Sequence, residues 1–320
     1  MIRNQLITSL FTAAILVCSS GSAHAVSRNC TAEEKSQADR QLEVIAADQR
    51  LQGNLSEYHA PFGLPVALLA GNEQVLYQGG YIMAHDPDLK TSLWVSYQIN
   101  GQDVANAQGK DRVECFRMDP RLKRGTKAST TDYAEPVYDR GHMANDADLK
   151  DNLIEQINSY VMSNMSPQHC RFNRGIWLSM ESLTRRWAGR YGPILVTTGA
   201  IFDRDGVDGR DPDDLAQRMQ SNNGKTRVGV PSHYYKTFLR REGDGLEAIS
   251  FIFKNDNSHH GVVWEDVRPS VSNAISSIEE IEAHASLKLY PDLQQPVRES
   301  RAGEKWDFSS NDGNFEATCD

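Results

Sequence analysis

The sequence has no surplus of basic residues. Its 320 residues carry 34 Lys and Arg against 43 Asp and Glu, a formal net charge of −9. That balance excludes a protein that coats nucleic acid through bulk positive charge, because such binders meet phosphates with excess Lys and Arg. Beyond the first 25 residues no apolar run approaches the roughly 20 residues of a membrane-spanning helix. Cysteine is sparse: the chain has five, with no Cys-x-x-Cys pair and hence no thiolate cage for zinc. Nothing is repetitive, collagen-like or coiled-coil-like. Charged residues at 24% and hydrophobic residues at 39% exclude a disordered chain. The length suffices for a sizeable core in one large domain or two small ones.

The first 25 residues read as a unit of their own. Arg3 is their only charged residue, an apolar stretch runs from Leu6 to Val17, and Ala23-His24-Ala25 has a small-x-small cleavage pattern. This is the three-part pattern of a secretory signal peptide, and its apolar stretch is too short to span a bilayer. The sequence therefore predicts export, to the periplasm or beyond the cell, with cleavage after Ala25. Loss of Arg3 would take the net charge from −9 to −10, and loss of Cys18 would leave Cys30, Cys115, Cys170 and Cys319. Four cysteines in an oxidising compartment suggest two disulfides. Of the three possible pairings, the preferred one ties the termini through Cys30–Cys319 and staples the centre through Cys115–Cys170.

Thr31 followed by Glu34 is a capping box, and a helix is expected from Thr31 to Ala47. Pro61, Gly63 and Pro65 then break the pattern. Strand-like runs follow at 75–77, 81–83, 93–97, 194–198, 227–230, 248–253 and 261–264, with helices at 172–190 and 273–284. Strands and helices mix without regular βαβ alternation, which predicts an α+β fold with a mainly antiparallel sheet and flanking helices. The expected organisation is a helical extension over 26–57, a main domain over 58–295 and an acidic, irregular tail over 296–320.

Charge is unevenly placed. Residues 110–127 hold seven basic and three acidic side chains, and residues 171–190 hold five basic and one acidic. Any one cluster reads as solvated surface. These two flank the most motif-rich segment, which predicts a locally positive cleft on an acidic body.

Within that segment, Tyr138-Asp139-Arg140-Gly141-His142 places a Gly between Arg and His, so the backbone can bring both side chains near one point. A polar, turn-prone run, Ser163-Asn164-Met165-Ser166-Pro167-Gln168, leads into the next helix. There Phe172, Ile176, Met180, Leu183 and Trp187 fall within about 80° of one another as an apolar stripe. Asn173, Trp177 and Glu181 follow at four-residue spacing on a neighbouring stripe. Alone, Asn173 reads as a helix cap and Glu181 as a surface acid. Together the residues fit phosphodiester hydrolysis, which needs a base for water, a divalent cation on phosphate oxygens, and positive charge for the developing dianion. His142 can be the base, Asn173 a hard-oxygen ligand for Mg²⁺, and Glu181 a holder of one of the ion's waters. Arg140 and an arginine between 112 and 117 can meet the phosphate.

These residues resemble the DNA/RNA non-specific endonucleases, the ββα-metal or His-Me finger nucleases. The resemblance is carried by Asp139-Arg140-Gly141-His142, by Ser163-Asn164-x-x-Pro167-Gln168, and by Asn173, Trp177 and Glu181, three motifs in order within 43 residues. Weaker similarity extends over roughly Tyr58 to Leu293. The resemblance implies His142 as general base, Asn173 as direct Mg²⁺ ligand, Glu181 as a ligand through water, Asn164 as support for His142, and Arg140 on the phosphate. It implies internal cleavage of DNA and RNA to 5′-phosphate ends, with Mn²⁺ able to replace Mg²⁺. The upstream catalytic arginine is either Arg112 or Arg117, with Arg112 preferred. Arg117, Arg140, Arg171, Arg174 and Gln168 are the expected substrate contacts. Two alternatives on the same scaffold are an idle nucleic-acid-binding module and a phosphodiesterase of small substrates; a homodimer and an inhibitor protein stay open. The acidic run Asp203–Gly209 misses the EF-hand spacing and reads as a surface loop, as does His259-His260.

Overall fold

The computed structural model describes residues 26–69, 71–206, 209–220, 227–315 and 318–319. The expected signal peptide and Cys18 lie outside the described residues. The chain opens with strand β1 (Ser27–Asn29) and helix α1 (Ala32–Ala47). The capping box forms as expected: Glu34 N donates to Thr31 Oγ1 at 3.2 Å, and Thr31 N donates to Glu34 Oε2 at 2.7 Å. Helix α2 (Gln49–His59) follows, then β2 (Val66–Ala67), β3 (Gln74–Tyr77), β4 (Ile82–Asp86), β5 (Thr91–Ile99), α3 (Gly101–Ala107) and β6 (Arg112–Glu114). The centre of the chain supplies β7 (Tyr138–His142), α4 (Leu153–Ser159), β8 (Met165–His169), a π-helical turn (Phe172–Trp177) and α5 (Leu178–Tyr191). The remainder adds β9 (Ile194–Ile201), β10 (His233–Glu242), β11 (Gly245–Lys254), α6 (Trp264–Asn273), β12 (Ile275–Ser276), α7 (Ile278–Ala285), β13 (Leu287–Lys288) and α8 (Gln295–Arg298). Among the described residues no helix is long and apolar enough to cross a membrane.

The fold is α+β, as expected. Seven strands in the order β12-β11-β10-β9-β5-β4-β3 form one sheet, and every pairing in it is antiparallel. β9 is buried along its whole length and β5 nearly so, because both faces of the sheet are covered. Alternate residues of β10 show how. Tyr234, Lys236 and Phe238 face the π-turn and α5, with Phe238 5.0 Å from Trp187 and Tyr234 5.3 Å from Phe172. Thr237 faces the other way and bonds the Tyr290 hydroxyl.

Several local expectations change in this context. Residues 227–230 make a single bridge, Arg218 to Gly229, and 261–264 lead into α6 without forming a strand. The helix expected at 273–284 begins instead at Ile278, where Ser277 caps it, with β12 just before. β10 was not foreseen as a strand: its burial on both faces erases the alternation that marks a half-exposed strand.

The disulfide pairing also differs from the preferred one. Cys30 bonds Cys115, and Cys170 bonds Cys319. β1 pairs in parallel with β6, and Cys30 N donates to Glu114 O at 2.9 Å, which sets Cys30 beside Cys115. The tail then runs as a strap across α5. Asn311 Nδ2 donates to Ser179 O at 2.8 Å and Trp187 Nε1 to Asp307 O at 2.9 Å, and this path delivers Cys319 to Cys170 at the head of the π-turn.

Candidate active site

β7 and β8 form an antiparallel hairpin with Gly141 opposite Ser166 and His142 opposite Met165. Gly141 is required by close approach: a Cβ there would lie 2.0 Å from Gln168 Oε1. Gln168 is thus buried under the hairpin, and both ends of its amide lack a protein partner. The hairpin is fastened to the sheet by the Tyr234 hydroxyl, which is 2.7 Å from Ser166 Oγ and 2.9 Å from Pro167 O. Asn164 locks the turn after His142: its Oδ1 accepts from Ala144 N at 2.9 Å, and its Nδ2 donates to Ala144 O at 2.9 Å and Ser159 O at 2.8 Å.

The π-turn and α5 complete a ββα unit beneath this hairpin. A π-turn bonds i to i+5, so residues four apart do not stay aligned as on an α-helix. Asn173 and Glu181 border the cleft, whereas Trp177 is fully buried below it and donates from Nε1 to His142 O at 3.4 Å. Under the Trp177 ring, 4.6 Å from its centre, lies the ammonium of Lys236, which donates to Thr198 Oγ1 at 3.0 Å. Lys236 is fully buried and does not line the cleft; it bears on the site through its charge near Glu181.

One cleft of about 700 Å³ gathers Arg112, Arg140, His142, Asn173, Arg174 and Glu181. His142 Nε2 is buried without a hydrogen-bond partner, which leaves Nδ1 as the nitrogen toward the cleft. Burial lowers the His142 pKa to about 4; Asp146 opposes that shift and Arg112 adds to it. The imidazole is therefore neutral at physiological pH. Glu181 moves the other way: burial raises its carboxyl to about 7, against Lys236 and Arg185, which favour the anion. Asn173 Nδ2 donates to Asp139 Oδ2 at 2.9 Å, which leaves its carbonyl oxygen for the cleft. Arg140 lies over the Phe116 ring at 5.1 Å, and its Nε has no protein partner.

Of the expected substrate contacts, Arg140 and Arg174 reach the cleft. Arg174 also grips both oxygens of Asp139 at 2.8 Å and donates to Thr318 O at 2.7 Å. Arg117, Gln168 and Arg171 do not border it. Arg117 is buried and anchors α1 to α4 through Asp39 Oδ1 at 2.7 Å, Ile157 O at 2.8 Å and Asn158 Oδ1 at 2.6 Å. Arg171 is exposed at the head of the π-turn. Between the two upstream arginines, the structure thus brings Arg112 to the site. Its Nε donates to the Tyr160 hydroxyl at 2.8 Å and lies 3.4 Å from Asp146 Oδ2.

The expected positive field is reduced to a slight excess. Five basic residues (Arg112, Arg140, Lys150, Arg174, Arg185) face four acidic ones (Glu114, Asp139, Asp146, Glu181). Much of the basic sequence is used elsewhere, as with Arg121 on Asp119 and Arg186 and Arg190 on Asp307. Arg185, Asp146 and Tyr160 were missed. Arg185 could have been found, since it lies one helical turn beyond Glu181. Among the described residues, clusters of three carboxylates occur at Asp86, Asp88 and Asp213 and at Asp203, Asp205 and Asp211, both away from the cleft. Arg210 bonds Asp86 and Asp213, and Asp203 pairs with His284 at 2.6 Å. His260, in the loop before α6, bonds Ser270 Oγ on that helix.

A ββα unit on an antiparallel sheet, bearing an imidazole, guanidinium groups, an amide and a carboxylate in one polar cleft, defines a hydrolase of phosphodiesters. Residues 60–294 match the family described as DNA/RNA non-specific endonuclease. The chain is 27% identical to human mitochondrial endonuclease G over 237 residues, covering 73% of each chain. It is 28% identical to nuclease C1 of Cunninghamella echinulata over 184 residues, covering 56% of this chain and 71% of that one. A solved structure of an EndoG/EndoGI complex shares the fold, with a TM-score of 0.58 and 22% identity over 74% of this chain and 91% of that chain. The protein belongs to the DNA/RNA non-specific endonuclease family, and is a phosphodiester-cleaving nuclease.

Proposed function

We propose that this protein is an exported, Mg²⁺-dependent, sugar-non-specific endonuclease that cuts DNA and RNA internally and leaves 5′-phosphate ends. The observation that carries this reading is the convergence of Arg112, Arg140, His142, Asn173 and Glu181 on one cleft. His142 Nδ1 accepts the proton of the attacking water, and burial keeps that nitrogen unprotonated in advance. Asn164 fixes the backbone beyond His142 and so fixes the ring's approach. Arg140 and Arg112 meet the phosphate oxygens as charge develops.

The donor set suits a hard cation. Asn173 offers an amide oxygen whose partner nitrogen is already engaged, and Glu181 offers a buried carboxylate that favours added positive charge. Asn173 would hold Mg²⁺ or Mn²⁺ directly and Glu181 would hold it through water. When bound, the ion would stabilise negative charge on the phosphate and leaving oxygen. Two disulfides among the described cysteines support an oxidising destination, periplasmic or extracellular.

The test is to incubate the purified mature protein with supercoiled plasmid, with RNA and with a chromogenic small phosphodiester, with and without EDTA. The expected result is internal cleavage of both polymers, abolished by EDTA, and a loss of at least ~100-fold in His142→Ala. Undiminished cleavage by that variant, or turnover of the small diester alone, would overturn the reading.

A further inference from the structure

We infer that Tyr160 is a positioning residue of this site, holding the His142 imidazole against its ring and the Arg112–Asp146 pair on its hydroxyl. Tyr160 belongs to none of the three sequence motifs. It caps the C-terminal end of α4, is fully buried, and touches two residues that line the cleft, Arg112 and His142. Its ring is perpendicular to His142, at 88° and 4.7 Å between centres, and Phe116 meets Tyr160 edge-on at 4.9 Å and 89°. The buried His142 Nε2 has no conventional partner, so these aromatic rings form its surroundings. Among aromatic rings an N–H is better tolerated than a bare lone pair, since a π face is a weak acceptor, and this favours the proton on Nε2 with Nδ1 left as the acceptor.

The hydroxyl uses both of its hydrogen-bonding roles. It accepts from Arg112 Nε at 2.8 Å and donates to Asp146 Oδ2 at 2.8 Å. Arg112 is half-exposed, and a long side chain in that position loses its aim unless something holds it. Arg112 lines the cleft, and tying its Nε to a rigid phenol fixes the guanidinium without using the two terminal nitrogens, the end suited to a phosphate. Asp146, seated by the same hydroxyl, also faces His142. One buried ring thus sets the relative placement of the base and an arginine that no backbone element joins.

This inference rests on the reading of His142 as base and Arg112 as phosphate contact, and its test separates the two. Tyr160→Phe keeps the ring and removes the hydroxyl, whereas Tyr160→Leu removes both. With Tyr160→Phe, kcat on plasmid should fall about tenfold, the scale of one hydrogen bond to a charged group, with KM within about twofold. Arg112→Met combined with Tyr160→Phe should be no slower than Arg112→Met alone, because the hydroxyl acts through that arginine. The His142 ring-proton NMR shifts should stay near their wild-type values in Tyr160→Phe and move in Tyr160→Leu, where the ring current is lost. Wild-type kcat in Tyr160→Phe, losses that multiply in the double variant, or a His142 spectrum unmoved by Tyr160→Leu would each overturn the proposal. Absence of cleavage by the wild-type protein would instead overturn the nuclease mechanism, and the NMR comparison would still decide the ring contact.

Discussion

Asp139 determines which end of the Asn173 amide meets the cleft. Its Oδ2 accepts from Asn173 Nδ2 at 2.9 Å, and Arg174 holds the same carboxylate through both oxygens. The aspartate of the Asp-Arg-Gly-His run is therefore the support of a residue 34 positions later. Asp139→Asn keeps the shape but replaces one acceptor oxygen with a donor, so Asn173 loses its orientation. Supporting partners of metal ligands typically matter 10- to 100-fold, and we expect cleavage and Mn²⁺ affinity by calorimetry both to fall by about that factor. Mn²⁺ affinity equal to wild type would show that Asn173 is oriented by something else.

The two upstream arginines should fail in opposite ways. Arg117→Met leaves Asp39 and the carbonyl of Ile157 without a buried partner, and should destabilise by about 3–5 kcal/mol. The fraction that folds should cleave at close to the wild-type specific rate. Arg112→Met should melt within a few degrees of wild type and lose cleavage strongly. Thermal melts paired with rates per folded molecule separate the two, and the reverse pattern would contradict the placement of Arg112 at the cleft.

Three buried histidines, His59, His85 and His142, set an acid limit on stability. Burial lowers both His142 and His59 to about 4, against an ordinary value of 6.5. A depressed histidine pKa means that the unfolded chain binds the proton more readily than the native one between those values. Stability is then complete above about pH 6.5 and is lost as pH falls toward 4, by up to about 3 kcal/mol per histidine. Urea unfolding at pH 7, 5.5 and 4 should show this slope, and His59→Gln should flatten it; an unchanged slope in that variant would exclude His59 as a contributor.

Glu155 has the opposite sign. Burial, with Asp151 and Asp103 nearby, raises its carboxyl to about 7. The native state therefore bears a cost at alkaline pH, where the group must ionise, and none below about 4.5, where both states are protonated. Glu155→Gln should raise the melting temperature by several degrees at pH 8 and barely change it at pH 4.5. Equal shifts at both pH values would mean that packing, not charge, is responsible.

What could be read from the chain alone was local. The Thr31–Glu34 capping box, the Gly between Arg140 and His142, and the buried Met180, Leu183 and Trp187 on one side of α5 each depend on residues close in sequence, where spacing translates directly into geometry. The three motifs were enough to name the chemistry, because residue types at short spacing carry it. The net charge of −9 was also informative, since it excluded dense coating of nucleic acid while leaving a small polar cleft possible.

Tertiary structure decided everything that depends on distant segments meeting. Cys30 reaches Cys115 because β1 pairs with β6, and Cys319 reaches Cys170 because the tail crosses α5. Arg117 is buried by Asp39, 78 residues away, while Arg112, five positions earlier, is turned into the cleft by Tyr160. Lys236 lies under Trp177, where its charge acts on Glu181, only because β10 runs beneath the π-turn. A spacing of four residues has few conformational solutions, whereas a separation of 80 has a great many, and only the packing of the whole sheet selects among them.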